Sequence, residues 1–275
     1  MLLQQITDWD DAYANGAHIP GGEAYPAKWA ALAEEFRAGL SAAARADLDI
    51  PYGPAERNRL DLFHPEGTPR GLVVFVHGGF WKAFDKSSWS HLAAGPLAHG
   101  FSVAMPSYRL CPEIRISEIA EEIGAAIGEA AGRIDGSIRL AGHSAGGQLV
   151  TRMVCRNTPL NTDVVDRIDR TVSISGVHDL RPIIKTEMND TLRIDRMEAL
   201  KESPALLEPI GETRLVCWVG AGERAEFIRQ NALLASIWKG LGAATASIEE
   251  PDRHHFNVIE GLAEPDHPLT GTLSA

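Results

Sequence analysis

Cysteine is scarce in this chain. Cys111, Cys155 and Cys217 stand far apart among 275 residues. A set so odd and scattered makes neither a disulfide framework nor a zinc pattern, and it fits a reducing compartment. Basic residues are also in short supply, with 26 Lys and Arg against 37 Asp and Glu and a formal charge of −11. A positive stripe for nucleic acid is therefore not expected. No apolar run is long enough to cross a bilayer. The opening Met1-Leu2-Leu3-Gln4-Gln5-Ile6-Thr7-Asp8-Trp9-Asp10 lacks the basic region and long apolar core of a signal peptide. Internal repeats and low-complexity tracts are missing as well. The expectation is a soluble, cytoplasmic protein with no nucleic-acid or membrane partner.

What the chain has in plenty is apolar residue, 44% of the total, enough for a large core. Buried-strand and helical patterns alternate along it. Leu72 to Val76 is continuously apolar, as in a strand covered on both faces, and Phe101–Pro106, Ile138–Ala141, Thr171–Gly176, Arg214–Val219 and Ala244–Ile248 also read as strands. Between them, 88–99, 116–134 and 224–239 read as helices, the second with Ile116, Ile119, Ile123 and Ile127 on one face. Asn58 to His64 alternates polar and apolar residues like a half-exposed antiparallel edge strand. Ahead of it, residues 1–50 read as an irregular arm followed by a helix from Trp29 to Leu48, and such a piece can help to roof a site. Residues 178–210 break the alternation and read as a small lid-like insertion. The predicted fold is one α/β domain over 1–275, with a mostly parallel central sheet and helices on both faces.

The segment around Gly142-His143-Ser144-Ala145-Gly146-Gly147 organises the rest. A buried strand precedes it, and apolar residues at helical spacing (Leu149, Val150, Met153, Val154) follow. Gly142-x-Ser144-x-Gly146 in that setting is a nucleophile elbow, in which glycines relieve clashes at a turn too sharp for larger residues. An activated serine needs a base, an orienting acid and oxyanion donors. The base belongs after the last strand, where His254 and His255 lie; His267 reads as a surface residue of the tail. Asp252 beside the two histidines hints at a metal, but no third ligand is evident, and neither metal nor cofactor is expected. For the acid, Glu223 stands at the end of the Arg214–Val219 strand, with Asp179 as its rival and Glu226 and Asp252 behind. Gly78 and Gly79, after the Leu72–Val76 strand, with Ala145 after the serine, would supply oxyanion N–H groups. His77 is expected to brace that loop by hydrogen bonding, and Phe80, Trp81 and Tyr108 to form pocket walls.

Taken together, His77-Gly78-Gly79-Phe80-Trp81, Gly142 to Gly147, Ser175-Gly176-Val177-His178-Asp179-Leu180, Glu223 to Gln230 and His254 to Glu260 resemble, in order, the kynurenine formamidase (arylformamidase) branch of the α/β hydrolases, close to the hormone-sensitive-lipase-like esterases. The resemblance covers nearly all of the chain after Tyr52. It implies Ser144 as nucleophile, Glu223 as acid and His255 as base. Phe80 stands where that family usually has Tyr, and Glu223 where it usually has Asp. The implied partner is a small-molecule ester or N-formyl aryl amide, cleaved through an acyl-enzyme; self-association as a homodimer stays open. A non-catalytic small-molecule receptor on the same fold is the alternative.

Overall fold

Gly71–Val76 carries no charged or polar side chain, so as a strand it needs cover on both faces. In the computed structural model, which describes residues 5–275, this segment is β3 and all six of its residues are buried. Met1 to Gln4, the start of the segment read for a leader, lie outside the described residues. β3 sits inside an eight-stranded sheet with β1 (Ala46–Pro51), β2 (Arg59–Phe63), β4 (Ser102–Pro106), β5 (Ser137–His143), β6 (Ile168–Ile174), β7 (Arg214–Gly220) and β8 (Ala244–Glu250). The order across the sheet is β1-β2-β4-β3-β5-β6-β7-β8. β2 runs antiparallel to both β1 and β4, and every pair from β4 to β8 is parallel.

The helices are α1 (Trp9–Tyr13), α2 (Tyr25–Ala42), α3 (Ala94–Ala98), α4 (Ile116–Ala131), α5 (Ala145–Arg152), α6 (Thr162–Val165), α7 (Asn189–Leu192), α8 (Arg196–Glu202), α9 (Ala225–Gly240) and α10 (Pro268–Ser274). Side chains alternate along a strand, so β3 feeds two cores. Leu72, Val74 and Val76 pack with α4, α5 and α9 on one face. Val73 and Phe75 pack with Trp29 of α2 and Leu269 and Leu273 of α10 on the other. The predicted isoleucine face of α4 is buried in the first core.

Three elements differ from the sequence reading. β2 is not an edge: β1 pairs outside it, and Leu60, Leu62 and Phe63 are fully covered. β1 is hard to see in sequence because its Ala-Asp-Leu-Asp-Ile-Pro run is acidic and largely exposed, as an edge strand can be. The expected helix over Trp29–Leu48 starts earlier, at Tyr25, and ends at Ala42, leaving Leu32 exposed. Residues 88–99 form a 3₁₀ turn (Ser90–Ala93) and the five-residue α3 rather than one helix. The insertion at 178–210 carries α7 and α8 between β6 and β7 and buries Leu180, Ile183, Leu192 and Ala199 in the first core.

Candidate active site

The chain passes from β5 into α5 through one residue. Ser144 takes φ 55°, ψ −115°, a strained conformation for a residue with a Cβ. A Cβ on Gly142 would stand 2.2 Å from the Gly146 carbonyl oxygen, and one on Gly146 would stand 1.9 Å from that of Val76. Only glycine lets the helix start this close to the sheet. The Ser144 N–H donates to the Ile174 carbonyl of β6 at 2.8 Å, which fixes the turn from the neighbouring strand.

Beyond the end of β8, His255 is buried, and its Nδ1 lies 2.6 Å from Oε2 of Glu223, just after β7. The other carboxylate oxygen of Glu223 accepts from the Ser175 hydroxyl at 2.5 Å and the Gly220 N–H at 2.9 Å. Both oxygens are thus engaged, and the carboxylate is held against the ring. With Nδ1 donating to a carboxylate, Nε2 is the nitrogen left to take up a proton. Ser144 and His255 line the same cavity, with no direct Oγ–Nε2 hydrogen bond between them.

The other candidates are occupied elsewhere. Asp179 is chelated by Arg181 at 2.9 and 2.8 Å. Burial opposes its ionisation, but the bonds from Arg181 outweigh burial and hold its carboxyl below the usual carboxylate range. Glu226 accepts from Tyr13 Oη at 2.9 Å and pairs with Arg229 at 2.7 Å. Asp252 lies exposed in a turn at φ 59°. His254 meets the Tyr25 hydroxyl at 3.2 Å, and its Nδ1 accepts the Phe256 N–H at 3.2 Å. Asp252, His254 and His255 therefore do not converge on a common point. His267 is not a simple surface residue: it caps α10 through Leu269 N–H and lies 3.1 Å from Glu250.

The loop after β3 closes against the elbow. A Cβ on Gly78 would lie 3.0 Å from Ser144 Cβ, and Gly79, at φ +110°, has no room for one beside the Ala83 carbonyl at 2.4 Å. Ala145, the first residue of α5, follows the serine directly. His77 braces this loop: Nδ1 donates to the Gly78 carbonyl at 2.7 Å, and its ring stacks on Tyr108 at 4.4 Å. Burial pulls its pKa down to about 4, so it is neutral at pH 7. His143, which the sequence reading left without a role, donates from Nε2 to the His255 carbonyl at 2.9 Å. It ties the elbow to the loop carrying His255. Burial, followed by its neighbour His255, keeps its pKa well below the ordinary value.

A cavity of about 400 Å³ opens over Ser144 and His255. Its walls are almost wholly apolar, with Trp29, Phe80, Phe84, Trp89 and Phe256 supplying the aromatic surface. Trp29 lies 4.7 Å from Trp89 and 5.3 Å from Phe256, ring to ring. Asn15, Gly16, Gly22 and Pro26 of the N-terminal arm close one side, whereas the 178–210 insertion contributes nothing to the wall. Of the three expected wall residues only Phe80 is in place. Trp81 and Tyr108 are wholly buried elsewhere: Trp81 Nε1 donates to Gln148 at 3.0 Å, and Tyr108 Oη to the His77 carbonyl at 3.0 Å. For Trp81 the reason is local, because Phe80 and Trp81 both take positive φ (46° and 55°) and turn consecutive side chains in different directions, whereas Tyr108 is held behind the loop by its stack on His77. A larger depression of about 990 Å³ lies at the opposite end of β5, β6 and β7. Of its charged residues, Asp169 pairs with Arg214 and with Arg139 behind the wall, and Arg167 bonds backbone carbonyls. The smaller cavity lies at the C-terminal ends of the strands, where ligands bind in such sheets, and there Ser144 and His255 meet.

Comparison with known proteins agrees with this architecture. A family model described as alpha/beta hydrolase fold matches residues 73–255, about two thirds of the chain. Kynurenine formamidase from Salmo salar is 29% identical over 239 residues, covering 82% of this chain and 80% of that protein. The Danio rerio kynurenine formamidase is 28% identical over 237 residues, with 82% and 80% covered. A crystal structure from Silicibacter sp. TM1040, provisionally described as a thioesterase, is 50% identical, with a TM-score of 0.93 and coverage of 98% of this chain and 99% of that one. By fold, by family match and by these relatives, this chain belongs to the alpha/beta hydrolase fold family and is a hydrolase.

Proposed function

We propose that the protein is a serine hydrolase that cleaves short-acyl aryl esters and N-formyl aryl amides through an acyl-enzyme. The observation that carries this reading is the His255–Glu223 bond of 2.6 Å at the edge of an aromatic cavity that also holds Ser144. In the proposed cycle His255 Nε2 takes the Ser144 hydroxyl proton as Oγ bonds to the carbonyl carbon. That contact closes with substrate bound, as catalytic hydrogen bonds in empty sites are often long. The carbonyl π electrons move onto oxygen, where the N–H groups of Gly78 or Gly79 and of Ala145 receive the negative charge. The His255 imidazolium, stabilised by Glu223, then protonates the departing aryl oxygen or nitrogen, and the C–O or C–N bond breaks. Water, deprotonated by His255, releases the acid and restores Ser144.

The wall composition favours a flat, neutral leaving group, because aromatic rings pack against one another at these spacings. The kynurenine formamidases among its relatives support the amide arm of the proposal. The thioesterase description of the 50% identical protein raises thioesters as a second class. Lys82 is the sole Lys or Arg in the cavity wall among the described residues, so a polyphosphate-bearing thiol leaving group finds one cation there against several negative charges.

A panel of aryl acetates, N-formyl aryl amines and acyl thioesters, ranked by kcat/KM, tests the substrate class; thioesters outranking both others would overturn it. Ser144→Ala should abolish labelling by an organophosphonate and lower kcat on the order of 10⁴-fold while the protein stays folded. An unlabelled wild type, or a variant that keeps its rate, would overturn the serine-hydrolase reading.

A further inference from the structure

Gly79, Phe80 and Trp81 follow one another at φ 110°, 46° and 55°. Three successive residues at positive φ, two of them carrying large side chains, persist only where the surroundings hold them. Upstream, His77 ties this loop through the Gly78 carbonyl at 2.7 Å. Downstream, the Cys111 N–H donates to the Trp81 carbonyl at 2.8 Å, and one side chain of α5 holds the indole. Trp81 is wholly buried, and its Nε1 donates to Oε1 of Gln148 at 3.0 Å. Gln148 is equally buried and stands one helical turn beyond the nucleophile, its N–H donating to the Ser144 carbonyl at 3.3 Å. Its Nε2 donates to the backbone carbonyl of Glu202 at 2.8 Å. Only one orientation of the amide satisfies both neighbours, because an indole N–H can only donate and a carbonyl can only accept. Glu202 is the last residue of α8, and its carboxylate pairs with Arg152 of α5 at 3.0 Å, both side chains buried. The 178–210 insertion, absent from the cavity wall, thus reaches the loop of Gly78 and Gly79 through two hydrogen bonds.

We propose that Gln148 is a positioning residue: by locking the Trp81 indole it fixes the loop of Gly78 and Gly79 relative to Ser144, and through the Glu202 carbonyl it makes the insertion a buttress of the oxyanion site. The proposal rests on the serine-hydrolase reading above. Gln148 is not part of the cavity wall, so it acts only through Trp81. An oxyanion donor is useful only where the tetrahedral oxygen will lie, and a small displacement costs rate more than it costs substrate binding. Loss of the bond between Gln148 and Trp81 is therefore felt in the transition state and spares the ground state. A side chain that merely packs would lower stability without separating the two.

The test breaks the bond from either end. Trp81→Phe removes the donor and keeps an aromatic ring in the core, and Gln148→Met removes the acceptor at similar volume, so the two variants do not depend on each other to fold. On phenyl acetate each should lose kcat about tenfold or more, with KM within about twofold of wild type. The double variant should lose no more than the worse single one, because both act through one bond. Binding separates the two states without turnover. With trifluoroacetophenone, Ser144 Oγ bonds to the carbonyl carbon, its proton passes to His255, and the π electrons move onto oxygen. That ketone should bind the variants about tenfold more weakly than wild type, while acetophenone binds all of them alike. Equal weakening of both ketones, or a folded variant whose kcat stays within about twofold of wild type, overturns the positioning role alone. A wild type without esterase turnover that holds trifluoroacetophenone no more tightly than acetophenone overturns the hydrolase reading, and the positioning role falls with it.

Discussion

At the scale of single residues, the acid is the most instructive position. Glu223 and Asp179 stand at the ends of adjacent strands, and sequence position alone does not separate them. The structure differs sharply between them: Glu223 lies 2.6 Å from His255, while Asp179 is chelated by Arg181 at 2.8 and 2.9 Å. The longer side chain of Glu223 is held by Ser175 and Gly220, so its extra methylene is not left loose. An amide at this position keeps the shape but can no longer stabilise an imidazolium. Glu223→Gln should therefore reduce kcat on an aryl acetate by about 10³-fold or more, whereas Asp179→Asn should stay within about threefold, since it loses only a partly exposed ion pair. Steady-state kinetics on both purified variants checks this, and the larger loss in the Asp179 variant would reassign the acid.

At the scale of elements, the parts that were legible in the sequence have a strong local cause. β3, β5 and β7 are largely apolar and buried, α4 repeats isoleucine on one face, and the elbow is specified by glycines that tolerate no Cβ. The parts that were not legible are set by tertiary contacts. β1 has acidic residues and a pattern that only its partner strand makes sense of. Trp81 lies away from the cavity because two positive-φ residues redirect the chain after Gly79, and Tyr108 because it is tied to His77, and neither cause has a sequence signature. The N-terminal arm, irregular in sequence, is held by specific ties: Arg224 to Asp11, Tyr13 to Glu226, and Glu187 N–H to Asp10 at 2.7 Å. Arg224 reaches the arm from the start of α9, outside the cavity. Removing its guanidinium in Arg224→Ala should loosen the wall and raise KM for hydrophobic aryl esters about threefold, with kcat little changed. Increased cleavage of the arm in limited proteolysis should accompany the shift in KM, and an unchanged KM would show that the tie does not shape the cavity.

At the scale of the molecule, buried neutral histidines set the acid limit of stability. Desolvation lowers His77 and His91 to about 4 and His178 to about 3. In the unfolded chain each titrates near the ordinary value of about 6.5. The unfolded state therefore binds more protons between those values. Stability is complete above about pH 6.5 and is eroded as pH falls toward 4. Urea unfolding at high salt, which mutes the easing of the −11 charge, should give an unfolding free energy lower by about 2 kcal/mol or more at pH 5 than at pH 7.5. A flat profile over that interval would mean that these rings are accommodated as cations. The placement of the arm has a consequence of another kind. The family match spans 73–255 and so contains Ser144, Glu223 and His255, but Asn15, Pro26, Trp29 and Phe256 all fall outside it. The proposed reacting groups thus share one length of polypeptide with part of the wall, Phe80, Phe84 and Trp89 among it, while the rest of the wall comes from the N-terminal arm and α2. A chimera that exchanges only the first thirty or so residues would keep the proposed reacting centre and change one side of the mould into which substrates are pressed, so selectivity should be re-cut at the front of the sequence without touching Ser144, Glu223 or His255.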